Sequence, residues 1–204
     1  KTLDALWKQG FLYVCHCNRK DILAAASAPQ EGSPMIGPDG VIYPGTCRSL
    51  VNDIANPRPQ EAALRLKLCG QPNIRYNFDE VGAGPDRETG LIVSSSTQLI
   101  AEVGDIVLSR KDMGTSYHLS VVLDDAAQGI THVVRGHDLF EATKIHVLLQ
   151  DLLGLQTPIY HHHDLIRDDQ GTRLAKRDDA RAIAKFRDEG YTADDIRKLV
   201  GLPS

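Results

Sequence analysis

A chain of 204 residues, 42% of them hydrophobic, can bury a real core as one compound domain or two small ones. Its net charge of -4 argues against a generic polyanion binder, leaving only local basic patches. No apolar run is long enough to span a membrane, and the first residues lack the apolar core and small-residue cleavage site of a signal peptide. Four cysteines are too few for a disulfide scaffold, which points to a reducing cytoplasm with thiols or metal.

The chain opens on Lys1 without a methionine, and Leu3, Leu6 and Trp7 already follow a helical stripe closed by Gly10. That is the tail of a helix begun upstream, so the expectation is a protein whose earlier part is missing. Phe11 to Val14 reads as a short apolar strand that reaches Cys15-His16-Cys17. A loop rich in Pro, Gly and Ser between Ser27 and Gly40 leads to Tyr43-Pro44-Gly45-Thr46-Cys47. Two cysteines separated by one residue can form half of a tetrahedral zinc site, and Cys47 adds a third sulfur. Tyr43, His16 and Asp39 are the candidates for the fourth position, Tyr43 with its phenol ionised by the metal. Three buried reduced cysteines without metal are the alternative. Pro59 to Leu68 reads as a helix, and Cys69 as an ordinary small buried residue.

Residues 70–103 show loop punctuation at Gly82, Gly84, Pro85 and Gly90, a strand at Leu91 to Val93, and no chemistry. Asp105 to Ser109 reads as a strand and Arg110 to Ser116 as a polar turn. Then comes the stretch that organises the chain. Tyr117 to Ala127 carries Leu119, Val122, Leu123 and Ala126 at helical spacing and stops at Gly129. Ile130 to Val134 is a β-branched run that delivers Arg135 and Gly136 to its carboxyl end. Phe140 to Leu153 is a second helix, ended by Gly154, and Pro158 leads into a second strand. Parallel strands joined by helices bind ligands beyond their carboxyl ends, which puts Arg135 where a site belongs; an ion pair with Asp138 is the structural alternative. In His161-His162-His163, adjacent side chains point to opposite faces and do not readily serve one ion, although one of them could face a nucleotide. After the turn Asp168-Asp169-Gln170-Gly171, the run Arg173-Leu174-Ala175-Lys176-Arg177 offers three cations to a polyphosphate, with lysine as a mobile point charge. Asp178 is a candidate N-cap for a helix to Phe186. Thr192 with Asp195 caps the last helix, which Gly201 and Pro203 end.

The order Cys-x-Cys, Tyr-x-x-x-Cys, Gly-Asp-x-Val-Leu, Tyr-x-Leu, Asp-Asp, Gly-Ile-Thr-His-Val-x-Arg-Gly and a Leu-x-Lys-Arg-type loop resembles the class I glutamyl-tRNA synthetases. The resemblance covers Phe11 to Cys47 and Gly104 to Gly201, with a further touch at Ala63-Leu64-Arg65. The 18 residues from Tyr117 to Arg135 and the 38 from Arg135 to Arg173 match the family's spacing. Within the family the chain looks most like the shortened glutamyl-queuosine branch. It stops at Ser204, where a standard member continues into a helical anticodon-binding part, and Val121 stands where standard members tend to carry asparagine.

The resemblance implies an α/β fold: a class I Rossmann-like core with a zinc-bearing insertion and a short helical C-terminal segment. Residues 1–14 would end the first Rossmann half, 15–100 form the insertion, 101–167 the second half, and 168–204 the KMSKS-type loop and helical segment. It implies structural Zn2+ on Cys15, Cys17, Tyr43 and Cys47. Glutamate would be bound by Tyr117 and Arg135, and the ATP phosphates by Lys176, the catalytic second lysine of the loop, with Asp138 and Leu139 near the nucleotide. The implied reaction joins L-glutamate to AMP at the expense of ATP with Mg2+, then transfers glutamate to queuosine in the anticodon of tRNA(Asp). The implied setting is a cytoplasmic monomer without DNA or membrane partners. The family's HIGH motif and N-terminal amino-acid-binding residues are absent, so the chain by itself is not expected to activate glutamate, and its loop lacks the family's first lysine and serine. Two other readings stand beside this one: a truncated standard glutamyl-tRNA synthetase charging tRNA(Glu), and a non-catalytic zinc-bearing tRNA-binding module.

Overall fold

Side chains along a strand alternate between faces, and this chain uses the alternation to serve a hydrophobic core and a cysteine cluster from one small sheet. The structure is a computed structural model that describes residues 1–27, 35–50, 52–68, 74–112, 114–167, 170–171 and 182–202. It divides into two compact units, Lys1–His163 and Asp164–Ser204.

In chain order the first unit contains α1 (Thr2–Lys8), β1 (Leu12–Cys15), α2 (Arg19–Ala26), β2 (Ile36–Gly37), β3 (Gly40–Val41), β4 (Ala63–Leu66), β5 (Arg75–Glu80) and β6 (Gly90–Ser95). It continues with α3 (Ser96–Glu102), β7 (Val107–Ser109), α4 (Tyr117–Gln128), β8 (His132–Gly136), a 3-10 turn (His137–Leu139), α5 (Phe140–Leu153) and β9 (Ile159–His163). The second unit contains α6 (Ile183–Asp188) and α7 (Ala193–Leu199).

The first sheet is antiparallel, in the order β1-β4-β7. Leu12, Val14, Leu64, Leu66 and Leu108 face the main core with Leu6, Trp7, Leu119 and Ile145, while Tyr13, Cys15 and Ala63 face a second cluster with Tyr43 and Cys47. Here the structure corrects one expectation. Pro59 to Leu68 is rich in helix formers, yet 63–66 is the central strand, with Leu64, Arg65 and Leu66 all buried. Two flanking strands and burial on both faces outweigh local helical preference. The strand expected at Phe11 to Val14 starts one residue later, and that expected at Asp105 to Ser109 is confined to its last three residues.

The second sheet has the order β6-β5-β9-β8. β8 and β9 are parallel and in register from His132–Ile159 to Gly136–His163, with α5 as their crossover; parallel neighbours require such a connection. β5 joins parallel to β9 and antiparallel to β6, so residues 70–103 hold two strands and α3 where only Leu91 to Val93 was expected. α4 and α5 fall at their expected places, each closed by a left-handed glycine, Gly129 at φ +67 and Gly154 at φ +65, a conformation glycine adopts without steric cost. α2 was not expected; its capping box of Asn18 and Asp21 is complete. In the second unit the Thr192–Asp195 box caps α7 as expected, whereas α6 starts at Ile183 after an extended Ala182. Asp178 lies outside the described residues.

Candidate functional site

Two polar centres stand out in the first unit. The first lies on the outer face of the β1-β4-β7 sheet. β1 delivers Cys15, the following turn Cys17, and the loop after β3 supplies Tyr43 and Cys47. The three sulfurs lie within 4.8 Å of one another, with Cys17 and Cys47 3.5 Å apart. The Tyr43 hydroxyl is 3.5 Å from both Cys15 and Cys17 sulfurs and accepts the Cys47 backbone N–H at 2.8 Å. Zinc–sulfur bonds of about 2.3 Å in a tetrahedron set the sulfurs about 3.8 Å apart, so the donor set fits a zinc ion. The other two candidates for the fourth position fall away: neither His16 nor Asp39 belongs to the cluster, and Asp39 sits 3.5 Å from His118 instead.

Charge and burial act on the donors of this cluster in opposite directions. The Arg65 guanidinium lies 3.8 Å over the Tyr43 ring and its Nε donates to the Cys15 sulfur at 3.3 Å. Burial pushes the Cys47 thiol up, but hydrogen bonds from Tyr43, the His16 backbone and the other cysteines bring it down to about 7. Burial raises Tyr43 and Cys17. Buried Asp105 ties the cluster to the core: its carboxylate accepts from Tyr13 Oη at 2.6 Å, Arg48 Nε at 2.7 Å and the Leu68 N–H at 2.8 Å, and its carbonyl from Arg65 at 2.6 Å.

The second centre lies at the carboxyl end of β8. Arg135, the penultimate residue of that strand, lines a pocket of about 320 Å3 with Tyr117 and Asp125 of α4, His146 and Gln150 of α5, and Tyr160 of β9. Val121 is also in the wall. Arg135 Nε donates to His162 Nε2 at 3.0 Å and Nη1 to His146 Nδ1 at 3.2 Å. Nη2 donates to the Leu139 carbonyl at 3.2 Å and to Thr143 Oγ1 at 2.5 Å. No ion pair joins Arg135 to an acid among the described residues, so the expected alternative with Asp138 is not formed. Behind it, His162 is fully buried and its N–H and Nδ1 meet the buried Glu80 carboxylate. Burial, then the positive charge of Arg135, pushes His146 down to about 3; burial also lowers His162 despite Glu80. Because its Nε2 accepts the Arg135 N–H, His162 carries its proton on Nδ1 alone, and its contact with Glu80 is a hydrogen bond. Burial raises Asp125, against the pull of Arg135.

The structure thus brings Tyr117 and Arg135 to one pocket and Cys15, Cys17, Tyr43 and Cys47 to one cluster. Asp138 is exposed on the 3-10 turn, and Leu139 gives its carbonyl to Arg135. Lys176 and Cys69 lie outside the described residues. Of the three adjacent histidines only His162 points inward. Sequence reading missed His118, His146, Thr143, Glu80 and Asp105. For Glu80 a signal existed: Tyr76, Phe78 and Glu80 alternate toward the interior, which puts an acid at a core position.

Residues 1–202 match the family model described as tRNA synthetases class I (E and Q), catalytic domain. The chain is 56% identical over 205 residues to the glutamyl-Q tRNA(Asp) synthetase of Rhodobacter capsulatus, covering 98% of this chain and 70% of the relative. It is 37% identical over 199 residues to that of Nitratidesulfovibrio vulgaris, covering 96% of this chain and 56% of the relative. It therefore spans only part of the length of these curated relatives. Among solved structures, a glutamate tRNA ligase from Elizabethkingia meningosepticum in complex with its amino acid shares the fold, with a TM-score of 0.60 at 21% identity over 93% of this chain and 35% of that one.

Proposed function

Because the chain belongs to the catalytic-domain family of class I tRNA synthetases for glutamate and glutamine, we propose that it supplies the glutamate pocket and the zinc-bearing segment of a glutamyl-queuosine tRNA(Asp) synthetase. The observation that carries this reading is Arg135: a cation at the end of a parallel strand, facing a pocket and held by neutral partners, so its charge is left for a ligand. A guanidinium and a carboxylate make strong charge-assisted hydrogen bonds, and Tyr117, across the same pocket, orients the amino acid. The reading of Arg135 as a carboxylate partner is supported by the spacing to Tyr117 and by the relatives' names.

In the proposed reaction the glutamate carboxylate attacks the α-phosphate of ATP, which binds with Mg2+, to give glutamyl-adenylate and pyrophosphate. Lys176 steadies the phosphates, and Asp138 and Leu139 border the nucleotide. The activated glutamate then passes to queuosine in the tRNA(Asp) anticodon. Cys15, Cys17, Tyr43 and Cys47 would hold zinc, which with four protein ligands is structural, fixing the cysteine-bearing loops rather than taking part in catalysis. The protein works as a cytoplasmic monomer in this reading; no described helix is long and apolar enough to cross a membrane.

The test supplies the complete gene product with ATP, labelled glutamate, and either queuosine-containing tRNA(Asp) or tRNA(Glu). Label on tRNA(Asp) only when queuosine is present is the expected result. Label on tRNA(Glu) would make this part of an ordinary synthetase, and no label on either would leave a zinc-bearing tRNA-binding module.

A further inference from the structure

Arginine has five N–H donors and no acceptor, and four of the five on Arg135 are already engaged, leaving one N–H on Nη1. A ring nitrogen that receives an arginine N–H carries no proton itself. His146 is therefore unprotonated at Nδ1 and holds its proton on Nε2, which it gives to His118 Nδ1 at 3.1 Å. His118 in turn holds its proton on Nε2, 3.5 Å from Asp39 Oδ1. On the other side His162 is unprotonated at Nε2 and holds its proton on Nδ1, toward Glu80 Oε2. Two directional chains thus leave one cation, and each ends on a carboxylate that does not touch it. Ring packing holds the acceptors in plane: His162 stacks on Tyr160 at 6° and meets the Phe140 ring edge-on, and Tyr117 lies edge-on to His146.

We propose that His146 and His162 are positioning residues for Arg135, a pair of neutral acceptors that orient the guanidinium without cancelling its charge, with Asp39 (through His118) and Glu80 fixing their tautomers. This rests on the reading of Arg135 as the partner of the substrate carboxylate. Carboxylates at positions 146 and 162 would orient arginine equally well, but they would neutralise it and compete with an anionic substrate. With a single N–H left, Arg135 recognises the substrate through charge and one hydrogen bond rather than through a two-pronged fork.

Two measurements test this. In the chain labelled with 15N-histidine, long-range proton–nitrogen correlation should show His146 as the Nε2–H form, neutral between pH 8 and 6, and His162 as the Nδ1–H form, neutral at pH 8. An imidazolium or the opposite tautomer at either position would overturn the proposal, and this reading needs no variant to fold. In the complete gene product, His146→Asn and His146→Asp share a shape and differ in charge. Pyrophosphate exchange should show the Asp variant with a KM for glutamate about tenfold or more above the Asn variant, an unchanged KM for ATP, and the Asn variant less impaired than His146→Leu. Equal glutamate KM values for Asn and Asp would refute the inference. Arg135→Ala is measured alongside: if it leaves glutamate KM unchanged, the pocket assignment itself is wrong, whereas its loss of activation with equal Asn and Asp values would sink only the positioning role.

Discussion

Removal of one guanidinium is expected to separate binding from folding in this protein. Arg135 is half-buried and its partners are two histidines, a threonine and a carbonyl, each able to find another partner or water at the pocket wall. Arg135→Ala in the complete gene product should abolish glutamate-dependent pyrophosphate exchange while leaving the circular dichroism spectrum unchanged; normal exchange would refute the pocket. His146 gives a second residue-level expectation. Its ordinary value near 6.5 is depressed to about 3 in the fold, so the unfolded chain takes up a proton that the folded chain refuses. Its stabilising contribution is complete above about pH 6.5 and is lost as pH falls toward 3, with a slope of up to about 1.4 kcal/mol per pH unit. Urea unfolding between pH 7 and 5, before most carboxylates titrate, should show that slope in the parent chain and a flatter one in His146→Asn. Identical slopes would mean that the histidine is not held neutral.

At the scale of elements, the loop between β5 and β6 comes unusually close to β9. A Cβ at Gly82 would lie 2.2 Å from the His162 carbonyl oxygen and 2.8 Å from its nitrogen, backbone atoms that cannot swing aside. Gly82→Ala should therefore destabilise the chain by about 1–3 kcal/mol and disturb the Glu80–His162 contact, read as loss of the His162 Nδ1–H signal. An unshifted melting temperature would show that the loop yields freely. The elements that carried a regular hydrophobic period and a glycine stop, α1, α4 and α5, were legible in the residues, as was the strand–helix–strand order that sets Arg135 at a strand end. β4 was not, because Ala63, Leu64, Arg65 and Leu66 prefer helix locally and only the strands on either side dictate otherwise. The same limit hid the support of the pocket. His118 and His146 are single residues on helices, and Glu80 sits in a loop-punctuated segment; their meeting depends on how α4, α5 and β9 pack, which no local pattern encodes. Of the cysteine cluster, spacing marked the three sulfurs but left Tyr43, His16 and Asp39 open for the fourth position, and Tyr43 was singled out only by the family resemblance.

At the scale of the molecule, the three hydrophobic clusters formed by the described residues lie within the first unit. A chain ending at His163 should melt cooperatively and keep the metal content of the parent, whereas a non-cooperative transition would show that its core is incomplete. Metal should matter to that unit as a ligand of the folded state. Chelation of the zinc-loaded chain is expected to lower the melting temperature by several degrees, since a ligand at a thousand times its Kd contributes about 4 kcal/mol. Cys47→Ser should reproduce that loss without chelator; an unaltered melting temperature in both cases would show that the cluster carries no structural ion.

The convergence on Arg135 also bears on how such a sequence can drift. It stands on β8, and its partners come from the turn after that strand, from α5, from β9 and, one step removed, from α4 and β5, so no single segment owns the arrangement. An acidic replacement at position 146 or 162 would discharge the arginine, and a lone change at 80 would strand a histidine proton in the interior. Positions 80, 135, 143, 146 and 162 are therefore expected to be inherited as a block among relatives with the same substrate. Substitutions there should arrive in matched sets, a historical signature that an alignment of such relatives can be searched for directly.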